Sequence, residues 1–558
     1  MNLMEQVQCL CNTCFVSRTN AAGAGPFSQQ VTIETLPDDI LLNIFRHHLH
    51  ASPQLWHKLT HVCQRWRQNV LTLPLGLHLR LYCTRGTPVL KTLECWPPFP
   101  LVLNYGRSSI HYPPAPEDEE NIMAALKQSD RVRSITLTLT NSLLENLSTI
   151  SEPLSELEEL VLLSRDSLEL TFPSAFRSGS RLRTLYLTRI STSAFPQLIS
   201  RSTGLVDLRL HEISNVGYFP PDVFVNAVSA MTQLETLSLH FLSLPPRRSY
   251  VGSPPPPEER VVLPALKCLK YRGTSKYLDK IVARIDAPRL GDMDITFFSQ
   301  PTMDALQLGQ FIERIEMETS LVKADVQTSA HAISITFPNP SAMQTSLDQA
   351  DIQPPTTGPI STITFPNSSA PPLLRLQISC KWLDWQLSSM TQICNHFSPF
   401  LFRVEDLRIS SAQSPREEDG MTGEQWPELI RAFSNAKVFR VAGVHVKDIL
   451  YALRSANGGD TAVLPVLRDL RVQKRMPTNG SLWNVAQSFI TSRLLSGHQI
   501  ELLAAENPRG QTVNKVFECT MCGQRFKRYI APSQHIRTHT GERPPQCAVT
   551  RSKTSFWR

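Results

Sequence analysis

The middle of the chain repeats one short pattern: an apolar residue, two of any kind, a second apolar residue, one of any kind, and a third apolar residue. It stands at Val132/Ile135/Leu137, Leu157/Leu160/Leu162, Leu182/Leu185/Leu187, Leu205/Leu208/Leu210 and Leu234/Leu237/Leu239. It returns at Leu266/Leu269/Tyr271, Leu290/Met293/Ile295, Ile312/Ile315/Met317, Val404/Leu407/Ile409 and Leu467/Leu470/Val472. The early copies follow one another at offsets mostly in the mid-twenties. A unit of that length cannot bury its own apolar face and must stack on the next copy. Alternation within each copy predicts a short strand, with one row of side chains packed inward and the other lining an open sheet face. The segments between have room for a helix, as from Pro221 to Met231. With 558 residues, the chain is too long for one core and reads as such an array plus small modules.

This pattern resembles the leucine-rich repeat, with a departure. The repeat consensus places Asn or Cys three residues after the last strand leucine, where it bonds across repeats. Here those positions are Arg165, Ile190, Ile213 and Leu242, so the asparagine ladder is absent. The proline-rich break from Pro245 to Pro257 predicts an exposed loop. A small duplication, Ser334 to Asn339 echoed by Thr362 to Asn367, predicts two strands, each stopped by Pro-Asn.

Upstream, Leu36-Pro37-Asp38-Asp39 reads as a helix start, since proline suits the first turn and acids favour the positive end of the helix dipole. Ile40, Leu41, Ile44 and Phe45 recur at helical spacing as one apolar stripe. A second helical pattern runs Trp56, Leu59, Val62, Cys63, Trp66, with His61 and Arg65 off that face. The Leu-Pro start and the Val62-Cys63-Gln64-Arg65-Trp66-Arg67 end resemble an F-box. Irregular repeats behind such a segment look like the large F-box families of mushroom-forming fungi. The resemblance implies docking onto the Skp-family adaptor of an SCF ubiquitin ligase through Leu36, Pro37, Ile40, Ile44 and Phe45. Val62 and Trp66 would shape the fold. An unknown protein substrate would be held on the repeats.

At the other end stands Phe517-x-Cys519-x2-Cys522-x3-Phe526, followed by His535-x3-His539. Two cysteines on a turn and two histidines one helical turn apart can meet one tetrahedral zinc, so zinc is the expected cofactor, with Cys519, Cys522, His535 and His539 as ligands. A unit this small folds on metal binding rather than on burial. It resembles a Cys2His2 zinc finger, and Thr540-Gly541-Glu542-Arg543-Pro544 resembles the linker between fingers. Pro532 stands where such fingers carry a helix leucine. Carried over from the family, Arg528, Ala531 and Gln534 would face bases, while Lys527, Arg537 and Arg543 would meet phosphates. One finger buries little surface, so two readings stay open: a DNA contact, and a zinc-stabilised or protein-binding tail.

The chain is therefore expected to be a multi-domain α/β protein: a small helical F-box, a leucine-rich-repeat-like solenoid and a C-terminal ββα zinc finger. Residues 1–30 form a disordered tail, 31–80 the F-box-like helical domain, and 120–505 the irregular repeats, loose at 245–260 and 340–360. Residues 515–545 form the finger, and 546–558 a truncated second finger or tail. Of the twelve cysteines, Cys63, Cys83, Cys95, Cys268, Cys380 and Cys394 are scattered singly outside a regular framework and read as reduced thiols. Cys9, Cys11 and Cys14 lack a second ligand cluster nearby, and His47, His48 and His50 suit a helix C-terminus. No secretory signal or long apolar run is visible, which points away from membranes and to the nucleus, the cytoplasm or both. No phosphate-binding glycine loop, zinc-protease helix or nucleophile elbow occurs, so an enzyme is not expected. The leading expectation is an F-box-type substrate receptor. The alternative is a zinc-finger nucleic-acid-binding protein with a role in transcription regulation.

Overall fold

The computed structural model describes residues 36–51, 56–72, 79–96, 98–106, 115–169, 175–176, 181–191, 195–244, 259–315, 322–338, 373–380, 383–411, 425–455, 463–473, 485–486, 488–490, 493, 500–504, 517–518, 525–526 and 550–551. The chain divides into two compact units, residues 1–166 with 171–185, and residues 167–170 with 186–558. The architecture is mixed α/β, with a small helical N-terminal region and a large, mainly parallel sheet.

The first unit opens with three helices, α1 (Asp38–Ala51), α2 (Trp56–Thr60) and α3 (Gln64–Thr72). Strands and helices then alternate: β1 (Leu81–Thr84), α4 (Val89–Cys95), β2 (Leu101–Asn104), α5 (Pro116–Leu126), β3 (Val132–Leu139), α6 (Asn141–Ser148) and β4 (Glu159–Glu169). The pairs β1–β2, β2–β3 and β3–β4 are all parallel. Parallel neighbours need a crossover, and each intervening helix supplies one. Ile135, Leu137, Leu160 and Leu162 are fully buried, as their template positions predict.

In the second unit come β5 (Thr184–Ser191, whose residues from Tyr186 belong here), α7 (Phe195–Arg201), β6 (Asp207–Ile213), α8 (Pro221–Val228), β7 (Thr236–Phe241), β8 (Val261–Val262), β9 (Cys268–Gly273) and α9 (Ser275–Val282). They are followed by β10 (Ile285–Asp286), β11 (Asp292–Phe298), α10 (Leu306–Arg314), β12 (Lys323–Thr328), β13 (Ala332–Phe337) and β14 (Leu374–Ser379). The last elements are α11 (Leu383–His396), α12 (Ser398–Leu401), β15 (Asp406–Ser411), α13 (Trp426–Arg431), β16 (Val438–Ala442), α14 (Val446–Ser455), β17 (Asp469–Gln473), β18 (Glu501–Ala504), β19 (Phe517–Glu518), β20 (Arg525–Phe526) and β21 (Thr550–Arg551). The strand order runs β6-β7-β9-β11-β14-β13-β12-β15-β16-β17-β18. Only β13 runs against its neighbours, because β12 and β13 form a hairpin. The chain leaves β11, passes two strand positions, returns through that hairpin and then places β14 beside β11.

The strand starts are tied by a recurring backbone device rather than by asparagine side chains. The carbonyl of Val206 accepts from the N–H groups of Glu235 and Thr236, and that of Glu235 from Lys267 and Cys268. Lys267 repeats the device toward Gly291 and Asp292, Glu405 toward Lys437 and Val438, and Lys437 toward Arg468 and Asp469. Side-chain pairs reinforce the row, Lys267–Glu235 at 2.7 Å and Lys437–Glu405 at 2.5 Å.

On the polar side of β6 and β7, the rings of His211 and His240 stack at 4.0 Å, with Tyr186 edge-on to His211 at 4.9 Å. His211 Nε2 lies 2.7 Å from Ser238 Oγ. Burial, then the neighbouring Arg209 and Lys270, push His211 down to about 4. Burial, then His211, Arg272 and Lys270, push His240 down to about 3.

One expected strand is a helix. Ile312 lies in α10, where Leu308, Phe311, Ile312 and Ile315 are buried at helical spacing; the i, i+3 pair Ile312 and Ile315 falls on one helix face, so that part of the template does not single out a strand. The segments 245–258 and 339–372, including the echo at Thr362 to Asn367, lie outside the described residues, as do 1–35.

Candidate adaptor-binding site

The helical N-terminal region is built around the start of α1. The carbonyl of Pro37 accepts the first helical hydrogen bond, from the N–H of Leu41 at 3.1 Å, so Pro37 caps α1 from just outside. Asp38 does more than face the helix dipole. Its carboxylate accepts from Arg65 (Nε 2.8 Å, Nη2 2.7 Å) and from Asn69 Nδ2 at 2.8 Å. Arg65 Nη2 also donates to the carbonyl of Leu36 at 2.5 Å. The Asn69 amide and the Arg65 guanidinium hold the Asp38 carboxyl below its ordinary range. Two residues of α3 thus fasten the entry of α1. Arg65, which the apolar pattern leaves off the packed face, is the centre of that latch.

The apolar stripe of α1 separates into two. Leu41, Phe45 and Leu49 point inward and are buried. Phe45 meets Trp66 edge to face at 4.8 Å. Ile40 and Ile44 stand one turn apart on another face, 41% and 42% exposed. Pro37 is exposed and Leu36 half-buried. Of the five residues expected to meet an adaptor, four are accessible. Phe45, at 1% exposure, supports the helix from inside.

The second expected helix breaks at His61–Cys63 into α2 and α3. Thr60 Oγ1 donates to the carbonyl of His57 at 2.7 Å, closing α2 on itself. The carbonyl of Cys63 accepts from the N–H of Arg67 at 3.0 Å, opening α3. Val62 therefore sits in a turn and is 44% exposed, where helical periodicity places it on a packed face. Trp66 is half-buried against Phe45, in keeping with its structural role. The anchor to the rest of this unit is Trp56. Its Nε1 donates to the carbonyl of Arg80 at 2.6 Å, and its ring meets Trp96 at 4.9 Å and Phe99 at 5.4 Å, both edge to face.

The result is an apolar ridge, Ile40 and Ile44 beside Pro37, with polar Asp39, Asn43 and Arg46 around it on the exposed surface of α1. Nothing in it can move a proton or bind a metal; it can exclude water against a complementary groove.

Of the C-terminal motif, the described residues are the strand pair Phe517↔Phe526, Glu518↔Arg525 and its neighbour β21. Cys519, Cys522, His535, His539, Arg528, Gln534, Lys527, Arg537 and Arg543 lie outside the described residues. Among the described residues no group of three His, Cys, Asp or Glu side chains is arranged to hold a metal, and no helix is long and apolar enough to cross a membrane.

Among protein families, residues 33–75 match the family described as F-box-like. No curated protein matches the chain. The match begins three residues before Leu36 and ends three after the last residue of α3, so it frames the three helices and the ridge.

Proposed function

We propose that the chain is the substrate receptor of an SCF-type ubiquitin ligase. The observation that carries this reading is the F-box-like segment at 33–75 with its exposed Ile40–Ile44 ridge. Leu36, Pro37, Ile40 and Ile44 would seat on the Skp-family adaptor. The parallel strands that carry the apolar template support reading 120–505 as an irregular leucine-rich-repeat-like array, whose polar face would hold the target. The chain would act on no bond. It would raise the effective concentration of the target at the ubiquitin-charged enzyme and fix its orientation. The test is a pull-down of purified Skp-family adaptor by the full chain, beside a Leu36→Ala/Pro37→Ala variant. Capture by the wild type that the variant loses supports the receptor. A folded wild-type chain that captures no adaptor refutes it.

A second reading concerns the C-terminal motif. Its support is the antiparallel pair β19–β20, between whose strands fall Cys519 and Cys522. Two cysteines between paired antiparallel strands is the order met in the first half of a ββα zinc unit. Zinc would be held by Cys519, Cys522, His535 and His539, and Arg528, Gln534, Lys527, Arg537 and Arg543 would face DNA. One zinc per chain, lost in Cys519→Ser, is the expected metal content; a chain without zinc after refolding in its presence rules the reading out.

A further inference from the structure

The polar face of β5, β6 and β7 carries two histidines where the strand ladder is broken. The β6–β7 register runs evenly to Leu210↔Leu239 and then jumps to Ile213↔Phe241, so His211 and Glu212 stand in a bulge. Glu212 has φ +54° and Arg189 of β5 has φ +57°, both in the left-handed region that side chains disfavour. Their side chains form an ion pair. Backbone of this kind persists only where its surroundings hold it.

On the β7 side the surroundings are a ring stack. His211 and His240 lie parallel within 7°, with centroids 4.0 Å apart. Both Nε2 atoms turn toward one buried hydroxyl, Ser238 Oγ, at 2.7 and 3.4 Å. One hydroxyl can donate to one ring and accept from the other, which satisfies two neutral imidazoles. Parallel rings do not aim their lone pairs at one metal ion. Two charged rings at this spacing would repel each other with no room for water between them.

The surrounding charges also oppose a proton. Burial depresses both rings most, followed by Arg209 and Lys270 for His211, and by His211, Arg272 and Lys270 for His240. The acid that favours a charged His240 is Glu212, and Arg189 already engages it. Asp207 is taken by Arg209 at 2.9 and 2.7 Å. Asp292 and Asp294 of β11 stand in register with Cys268 and Lys270, beyond β9. Tyr186 of β5 meets His211 edge-on.

We propose that the His211–His240 stack is a proton-triggered latch, which holds the bulge of β6 against β7 while both rings are neutral and lets the two strands part there when the pair takes up a proton. The inference needs neither the adaptor reading nor the zinc reading. Opening returns both rings to water, where a proton is accepted normally. It also costs few ladder bonds, since the ladder is already interrupted at the bulge. The change is therefore local to β6 and β7.

The test is hydrogen exchange of the full chain at about pH 7 and about pH 5, with labelling times matched to the intrinsic exchange rate at each pH. Each ring that regains its ordinary proton affinity on opening raises the opening equilibrium about twentyfold between those values. Wild-type peptides covering β6 and β7 are expected to gain at least that much exchange, and those covering β16 and β17 less than about threefold. His211→Gln/His240→Gln is expected to lose the gain. Carbon-13 histidine NMR of the wild type needs no variant: of the fifteen histidines, at least two should stay neutral down to about pH 5. The proposal is overturned if the gain in exchange is spread over the whole chain, or if a folded double variant gains as much as the wild type. It is also overturned if all fifteen histidines titrate near the ordinary value of about 6.5.

Discussion

Replacing Ile40 and Ile44 together by alanine should cut adaptor affinity and leave the fold intact. Full burial of an isoleucine side chain is worth about 1.5–3 kcal/mol relative to full exposure. These two keep 41% and 42% of their surface in the free chain, so about two-fifths of that value remains to be gained on docking, about 0.6–1.2 kcal/mol each. The pair then contributes about 1.2–2.4 kcal/mol, which is about an eightfold to sixtyfold loss in affinity. The other three-fifths is already gained on folding, so the variant should also lose up to about 0.9–1.8 kcal/mol of unfolding free energy per isoleucine. Phe45→Ala is the converse, since its ring is buried against Trp66 and its loss should cost about 3–5 kcal/mol of stability. Calorimetric titration with purified adaptor and denaturant melts of the same samples measure both quantities. Binding of a folded Ile40→Ala/Ile44→Ala within twofold of the wild type would refute a docking role for the ridge.

Three further outcomes are open to direct measurement. His211 and His240 titrate far below the ordinary histidine value of 6.5, so the unfolded chain takes up protons that the native one refuses. Their contribution is present above about pH 6.5 and is lost as pH falls toward their folded values; the thermal midpoint of His211→Gln/His240→Gln should therefore drop less between about pH 7 and pH 5, and parallel profiles would dismiss the cause. Gly443→Ala places a Cβ 2.7 Å from the Ser411 carbonyl oxygen at φ +91°, and should cost about 1–3 kcal/mol in a denaturant melt, whereas an unchanged melt would mean the approach of β16 to β15 relaxes freely. If the C-terminal cysteines hold zinc, atomic spectroscopy should find one zinc per wild-type chain and none in Cys519→Ser/Cys522→Ser, and equal content in both would place the metal elsewhere.

The sequence reveals the strands of the sheet better than the ridge. Leucines at template positions mark β3, β4, β6, β7, β9 and β11 because an inward strand row has to be large and apolar. β16 escapes the template because Ala436 stands at its first position, buried but too small to be noticed, with Phe439 and Val441 following. β1 escapes because it is pure alternation, Leu79, Leu81 and Cys83. Ile312 and Ile315 deceive in the other direction, since helix and strand both accept their spacing. On α1, periodicity finds Ile40, Leu41, Ile44 and Phe45 but cannot say which adjacent member turns inward; the aromatic packing of Phe45 on Trp66 decides that. Arg65 reads as a solvated charge because its partner, Asp38, lies 27 residues earlier. The histidine stack is invisible along the chain, since His211 and His240 come together only through the pairing of β6 with β7.

In the function proposed, residues 36 to 66 would receive an adaptor through the exposed face of α1. Hydrogen exchange of the full chain, with and without saturating purified adaptor, tests it most directly. Added protection is expected in peptides covering Leu36 to His47 and none in those covering β15 to β17. Adaptor binding that protects other segments and leaves α1 unchanged would contradict it.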